Sequence, residues 1–306
     1  MSKLDLTTII LTYNEEIHIR RCLENVCPIS KRVIVVDSLS TDRTVEMCKE
    51  FDNVEVVVHK YPGNQAEQFN WALDNVNISM EWVLRVDADE YLEPELIAEL
   101  HEKLPTMNSE VSAVVVPIGR EFMGRRLRHG IVNGVALTRL FRAGKAHYEL
   151  RLMDEYMHIH EGETVMFEHA IVDASRIGLK AFMDKHNNYS SREAALLLDA
   201  EFDLTDNNDN LDNTEYAKEV AAKRAQKKKY AKMPLFWRAL GYFIYRYIVK
   251  MGFLDGKEGL CWDFFQGLWY RMLVDGKIYE VKKACGENKQ AMVAYVKEKF
   301  GIQLDS

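Results

Sequence analysis

The chain contains no run of about 18 uncharged apolar residues, so a membrane-spanning helix is not expected. Its five cysteines (Cys22, Cys27, Cys48, Cys261 and Cys285) form no C-x-x-C pair. An odd count at such spacings reads as reduced thiols, not as a disulfide framework or a zinc site. The Met1-Ser2-Lys3-Leu4-Asp5 start leads straight into a strand-like run, so no secretory signal is expected and the reading is cytoplasmic. No internal repeat is evident. A net charge of −7 argues against a general nucleic-acid binder. What is present, 47% hydrophobic and 28% charged residues in 306, describes a globular protein with ample core. That length allows one large domain or two ordinary ones.

The first 120 residues alternate between two periodicities. Thr7–Thr12, Arg32–Val36, Val54–Val58, Trp82–Val86 and Ser112–Val116 are β-rich runs, and Arg32–Val36 is of the continuous apolar kind buried on both faces of a parallel sheet. Between them, Glu15–Val26 repeats Ile19, Cys22, Leu23 and Val26 at helical spacing, and a second helix is expected from Thr41 or Asp42, with Ser40 to Asp42 as its cap. Gln65–Val76 reads as a third helix and Pro94–Leu104 as a fourth opening on proline. Strands separated by helices in this way predict an α/β fold with a doubly wound, mostly parallel sheet. Gly119–Arg142 is rich in arginine and glycine with weak periodicity, and Leu179–Leu198 reads as a helix. From Asp199 to Glu215 there are seven acids, four asparagines and no base, the composition of a solvated linker. The expected division is therefore a catalytic domain over 1–198, an acidic linker or insert over 199–216, and a helical C-terminal extension over 217–306.

Chemistry concentrates where the predicted strands end. Asp87-Ala88-Asp89-Glu90 follows the fourth strand, and the i, i+2 spacing lets both aspartates point the same way as the strand runs out. Ligands of open α/β sheets bind in the crevice at the carboxyl ends of strands. Two converging carboxylates there suit a hard divalent cation carrying a phosphorylated ligand, although a solvated turn would carry the same residues. Asp37 ends the second strand level with Tyr13-Asn14-Glu15 after the first, where a carboxylate can accept a hydrogen bond from a nucleoside.

Thr12-Tyr13-Asn14-Glu15, Asp37-Ser38-Leu39-Ser40-Thr41-Asp42-Arg43-Thr44 and Asp87-Ala88-Asp89-Glu90, in that order and each after a predicted strand, resemble the family-2 glycosyltransferases of the GT-A fold. The resemblance implies an inverting enzyme using a nucleotide-sugar donor, usually a UDP-sugar, with a divalent metal (Mg or Mn). Carried over, Asp37 would hold the uracil, Asp89 the metal on the diphosphate, and Asp87 the ribose or the metal. Thr12, Tyr13, Asn14, Glu15 and Ala88 would line the donor site, and Gln65, Gln68 and Asn70 sit where family members contact the nucleotide sugar. Inverting transfer also needs a general base on the acceptor hydroxyl. The family usually supplies it from a Glu-Asp pair some 60 residues on; here Met153-Asp154-Glu155-Tyr156 occupies that place in reversed order, so Asp154 and Glu155 are both candidates.

A closer resemblance, to bacterial lipopolysaccharide-core glycosyltransferases, rests on Phe122–Gly130, Arg139-Leu140-Phe141-Arg142, Glu161-Gly162, Lys185–Ser190 and Gly252–Gly256. It implies transfer of a hexose to an inner-core sugar, or to another membrane-associated glycan such as a capsule, exopolysaccharide or lipid-linked oligosaccharide. Arg120, Arg125, Arg126, Arg128, Arg139 and Arg142 then become candidates for the diphosphate or an anionic acceptor. His186 is a candidate metal or diphosphate contact. Two rival readings are a nucleotidyltransferase and a noncatalytic membrane-binding partner. The first lacks its usual glycine-rich phosphate loop, since Tyr13-Asn14-Glu15 stands there, and the second would not need the acidic motifs.

The segment 217–250 carries ten bases against the single acid Glu219. Phe236, Leu240, Phe243, Ile244, Tyr247, Ile248 and Met251 repeat at helical spacing, with Arg238, Tyr242, Arg246 and Lys250 on the other face. Such a basic amphipathic helix suits either packing on the catalytic domain with a solvated basic face or peripheral contact through 217–251 with the inner face of the plasma membrane.

Overall fold

A computed structural model describes residues 2–132, 135–149, 157–204, 230 and 232–304. Their contacts divide the chain into two compact units, Met1–Arg176 and Ile177–Ser306.

The first unit opens with β1 (Leu4–Thr12), α1 (Ile19–Val26), β2 (Ser30–Asp37), α2 (Thr44–Cys48), β3 (Val54–Val58), α3 (Gln65–Asn75) and β4 (Trp82–Arg85). β5 (Glu90–Leu92), α4 (Pro94–Lys103), β6 (Val111–Phe122), β7 (Arg125–Leu127) and β8 (Val135–Arg142) follow. β9 (Ala146–Tyr148), β10 (Met157–Ile159), β11 (Glu163–Met166) and β12 (Ile171–Asp173) complete it. The main sheet runs β3-β2-β1-β4-β8-β6-β12-β5, with β7 and β11 also paired to β6. β3, β2, β1 and β4 are parallel, whereas β8 inserts antiparallel between β4 and β6. Continuous apolar strands explain the two-sided burial. Val33 and Val35 of β2 pack under α1 and α2, and Ile34 and Val36 pack with Ala66, Phe69 and Ala72 of α3 on the opposite face. This is the doubly wound α/β arrangement of the GT-A fold.

Local signals account for the helices. The α1 positions Ile19, Cys22, Leu23 and Val26 are all buried, one stripe at 3.6-residue spacing. Asn64 caps α3 by accepting the Glu67 N–H, and Pro94 opens α4. The second helix begins at Thr44, later than expected, because Asp42 uses its carboxylate to accept both the N–H and the hydroxyl of Thr44. All five cysteines are free thiols.

The second unit holds α5 (Gly178–Phe202), α6 (Trp237–Ile244), α7 (Gly256–Trp262), α8 (Tyr270–Cys285) and α9 (Lys289–Tyr295). Its core is Ala194, Ala195, Leu197 and Leu198 of α5 against Tyr270, Val274, Ile278 and Val281 of α8, with Met292 and Val296. The first acids of the Asp199–Glu215 stretch, through Glu201, belong to α5, and the rest of the stretch beyond Leu204 lies outside the described residues. Among the described residues no helix is long and apolar enough to cross a membrane.

One expectation is reversed here. Arg238 and Arg246, expected on a solvated face, are buried, each in an ion pair with a buried aspartate: Arg238 with Asp275 and Arg246 with Asp263. Those partners lie 37 and 17 residues away and turn the basic face inward.

Candidate active site

β1, β2 and β4 end side by side, with Thr12 in register with Asp37 and Ile9 with Arg85. The chain winds outward from β1 through β2 to β3 on one side, then crosses to β4 on the other, with α1 and α3 on opposite faces. That reversal is a topological switch point, where the loops after β1 and β4 diverge and open a crevice. The motifs Thr12–Glu15, Asp37–Thr44 and Asp87–Asp89 all emerge there.

The first two loops are laced together by polar contacts. Asn14 has φ of 56° and Leu39 φ of 66°, left-handed conformations that a non-glycine residue adopts only when its surroundings hold it. The Asn14 side chain accepts the Thr41 N–H at 2.8 Å, and its own N–H donates to the Ser40 hydroxyl at 2.9 Å. The Glu15 N–H donates to Thr44 Oγ1 at 2.8 Å. Asp37 is 2% exposed, accepting the Ser40 N–H at 2.9 Å and the Thr12 hydroxyl at 3.3 Å. Behind the loop, buried His18 accepts the Arg176 N–H on Nε2, which leaves Nδ1–H to donate to the Glu15 carboxylate. Gln68 is buried beside Asp37: its amide donates to Ser38 Oγ and the His59 carbonyl, and its Oε1 accepts from His59 Nδ1. Gln65 is exposed, as is Tyr13. Asn70 pairs with both backbone groups of Tyr148, tying α3 to β9.

The Asp87–Glu90 turn is held from three sides. Arg139 of β8 places Nη2 2.7 Å from Glu90 and 3.3 Å from Asp87, and Arg85 Nε lies 3.4 Å from the other Asp87 oxygen. Glu90 in turn accepts the Asp87 N–H at 2.8 Å. From α1, Arg21 Nη2 donates to the carbonyls of Asp89 and Ala174 at 2.6 and 2.9 Å, and the Ala174 N–H donates to the Asp89 carbonyl as well. Burial works against the Asp87 carboxylate, but the guanidiniums of Arg139 and Arg85 outweigh it and hold the carboxyl well below its usual range. For Glu90, burial wins and pushes the carboxyl up; Arg139 pulls it down, and the Asp87 charge opposes that pull.

Residues 7–169, more than half of the chain, match the model of "Glycosyl transferase family 2". The chain belongs to glycosyl transferase family 2. An uncharacterized glycosyltransferase of Rickettsia typhi is 36% identical over 105 residues, 34% of this chain and 35% of that protein. The SPbeta prophage-derived glycosyltransferase SunS of Bacillus subtilis is 28% identical over 195 residues, 61% of this chain and 40% of the relative. The chain thus spans 35–40% of the length of these relatives. Among solved structures, S. aureus TarS 1–349 aligns over 98% of this chain and 91% of that one, at 17% identity and a TM-score of 0.43. Glucosyl-3-phosphoglycerate synthase from Mycobacterium tuberculosis, in complex with Mn2+ and UDP-glucose, aligns over 38% of this chain and 43% of that one, at 20% identity and a TM-score of 0.31.

In this member of the family the other residues singled out by sequence differ in their surroundings. Arg120, Arg126 and Arg142 are internal ion-pair partners of Asp173, Glu93 and Glu81. Arg139, expected on the acceptor or diphosphate, is instead a buried partner of the Asp87–Glu90 turn. Arg125 and Arg128 are exposed at the start of β7 and in its following loop. His186, a candidate phosphate or metal contact, belongs to α5, where Nδ1–H donates to the Phe182 carbonyl and the ring stacks on Phe182 at 3.8 Å. Asp154 and Glu155 lie outside the described residues; β9 and β10, on either side of them, pair antiparallel. Sequence reasoning missed Arg21, His18 and Arg85 altogether. The one available signal was basic residues at positions whose neighbours face the core.

Among the described residues no three His, Cys, Asp or Glu side chains group into an all-protein metal cage. The donor set nevertheless fits a hard divalent ion of the kind that takes one or two carboxylates and completes its shell with phosphate oxygens and water. Asp87, engaged by two arginines, and half-buried Asp89 are the carboxylates of the Asp87–Asp89 motif.

Proposed function

We propose that the protein is an inverting, metal-dependent glycosyltransferase moving a hexose from a UDP-sugar to a lipopolysaccharide-core or other membrane-associated glycan. The observation that carries this reading is the convergence of three motifs at the β1/β4 switch point of a family-2 fold. In it, Asp37, fixed at the floor of the crevice by Ser40 and Thr12, receives the uracil, with Thr12 to Glu15 and Gln68 shaping that wall. Gln65 and Ala88 complete the donor site, and Asp87, turned by its arginines, meets the ribose. A divalent ion held by Asp89 would neutralise charge growing on the diphosphate leaving group. Asp154 or Glu155 removes the proton from the acceptor hydroxyl on the ring face opposite the nucleotide. Arg125 and Arg128 are proposed contacts to the acceptor or the diphosphate.

A panel of UDP-sugars with manganese or magnesium, scored for donor hydrolysis without acceptor, tests the donor half. Asp89→Ala should lose metal-dependent turnover by at least about a hundredfold, the scale of a removed transition-state contact. Unchanged turnover would end the metal assignment. Asp154→Asn and Glu155→Gln test the acceptor half separately, since full transfer by both variants places the base elsewhere.

A further inference from the structure

The α6 helix and the π-helical turn that continues it, Tyr245–Val249, have their amphipathicity inside out. Arg238 and Arg246 face the interior in ion pairs with Asp275 and Asp263, while Trp237, Leu240, Ile244, Tyr245, Ile248 and Val249 face outward. These six recur at intervals of one, three or four and form one stripe along the helix. Trp237 is 74% exposed, Val249 61% and Ile248 55%. Single exposed apolar residues need no explanation, but a contiguous stripe of this size marks an interaction surface. The stripe continues into Met251, Phe253 and Leu254, all about half exposed, in the turn after the helix. Exposed lysines flank it: Lys232 before the helix, Lys250 with its ammonium 5.5 Å from the Tyr245 ring, and Lys257 beyond the turn.

We propose that this stripe lies on the surface of an anionic phospholipid bilayer, with the apolar residues sunk to the acyl boundary and the lysines at the headgroups. Charge decides the occupant. An isologous contact with a second copy would set each lysine fringe against the other, whereas phosphate headgroups complement it. Trp and Tyr side chains beside aliphatic ones fit the water–lipid boundary, where an apolar body and a polar tip are both satisfied. The helix is too short to span a bilayer, so it rests in the interface. The buried ion pairs are what make this possible, because they keep the arginines from turning the helix over.

The test is co-sedimentation of the full chain with vesicles of phosphatidylcholine and phosphatidylglycerol at three to one, against pure phosphatidylcholine, with no glycan acceptor present. Capture should rise steeply with the anionic fraction and fall in high salt. Trp237→Ser with Ile248→Ser should reduce partitioning at least about tenfold. Lys232→Ser, Lys250→Ser and Lys257→Ser should each reduce it about fivefold. Leu240→Ser with Ile244→Ser gives a second apolar variant should the first fold poorly, as read by circular dichroism. Equal capture by both vesicle types, wild-type capture of both apolar variants, or a wild-type dimer that these variants split without vesicle binding would each overturn the proposal.

Discussion

Replacing Arg238 by methionine removes one half of a salt bridge whose two side chains are 0% and 1% exposed. Asp275 Oδ1 accepts from Arg238 Nε at 2.8 Å and from Nη2, while Oδ2 accepts the Phe236 N–H at 2.7 Å. Without the guanidinium the carboxylate keeps one backbone donor and, among the described residues, no ion-pair partner, in a site closed to solvent. Breaking a buried pair from one side costs about 3–5 kcal/mol, a large part of the roughly 5–15 kcal/mol that holds a domain. Removing both charges should behave differently. Arg238→Met with Asp275→Leu leaves the Phe236 N–H without its acceptor, worth about 1–3 kcal/mol, and the Tyr230 carbonyl without its Arg238 donor, a loss the single variant shares. The double variant should therefore be more stable than the single by about 2 kcal/mol or more, since apolar replacement of a buried pair is often neutral. Urea denaturation followed by tryptophan fluorescence reports on this unit, which contains Trp237, Trp262 and Trp269. A single variant within about 1 kcal/mol of wild type, or a double variant no better than the single, would refute the reasoning.

Gly162→Ala should destabilise the first unit by about 2 kcal/mol or more, because φ is +90° and the added Cβ would run into the Ser112 hydroxyl and meet the Glu110 carbonyl at 2.8 Å; a melting temperature equal to wild type would contradict this. Burial raises the Glu90 carboxyl above its unfolded value, so its contribution to stability is full below that unfolded value, about 4.3, and is lost as pH rises through the raised one. Denaturation at pH 5 and pH 8 should show Glu90→Gln with a flatter pH dependence than wild type, and parallel slopes would count against the assignment.

The parallel half of the sheet and the placing of the three motifs after its strands were legible because their information is local. In β2 the apolar core Val33–Val36 stands between Lys31-Arg32 and Asp37, so the strand announces both its burial and the acid at its end. β8 was not legible, although it lies in the middle of the sheet. Its Arg139 interrupts an apolar pattern, and an arginine reads as a core residue only once Asp87 and Glu90, 52 and 49 residues earlier, are known to meet it. The same blindness inverted the C-terminal helix. Periodicity places Arg238 and Arg246 on one face and the apolar residues on the other, but does not say which face is inside. Asp275 and Asp263 decide that, and their pairing is a tertiary fact.

Both misread regions use one device, an arginine buried to fix the attitude of something else. At the Asp87–Glu90 turn the device has a consequence for the proposed chemistry. Two guanidiniums balance Asp87 and Glu90 while Arg21 holds the Asp89 carbonyl through the backbone, so the turn's shape depends little on any ligand. In an unbraced Asp-x-Asp turn, two like charges would repel and part until a cation drew them together, and the work of closing them would weaken cation binding. Here Asp87 is already compensated, and the geometry around Asp89 is set before the donor arrives. A brace of this kind holds Asp87 and Glu90 in the protein's own charge network, and the turn that presents Asp89 takes its shape from that network and from the Arg21 contact to its backbone.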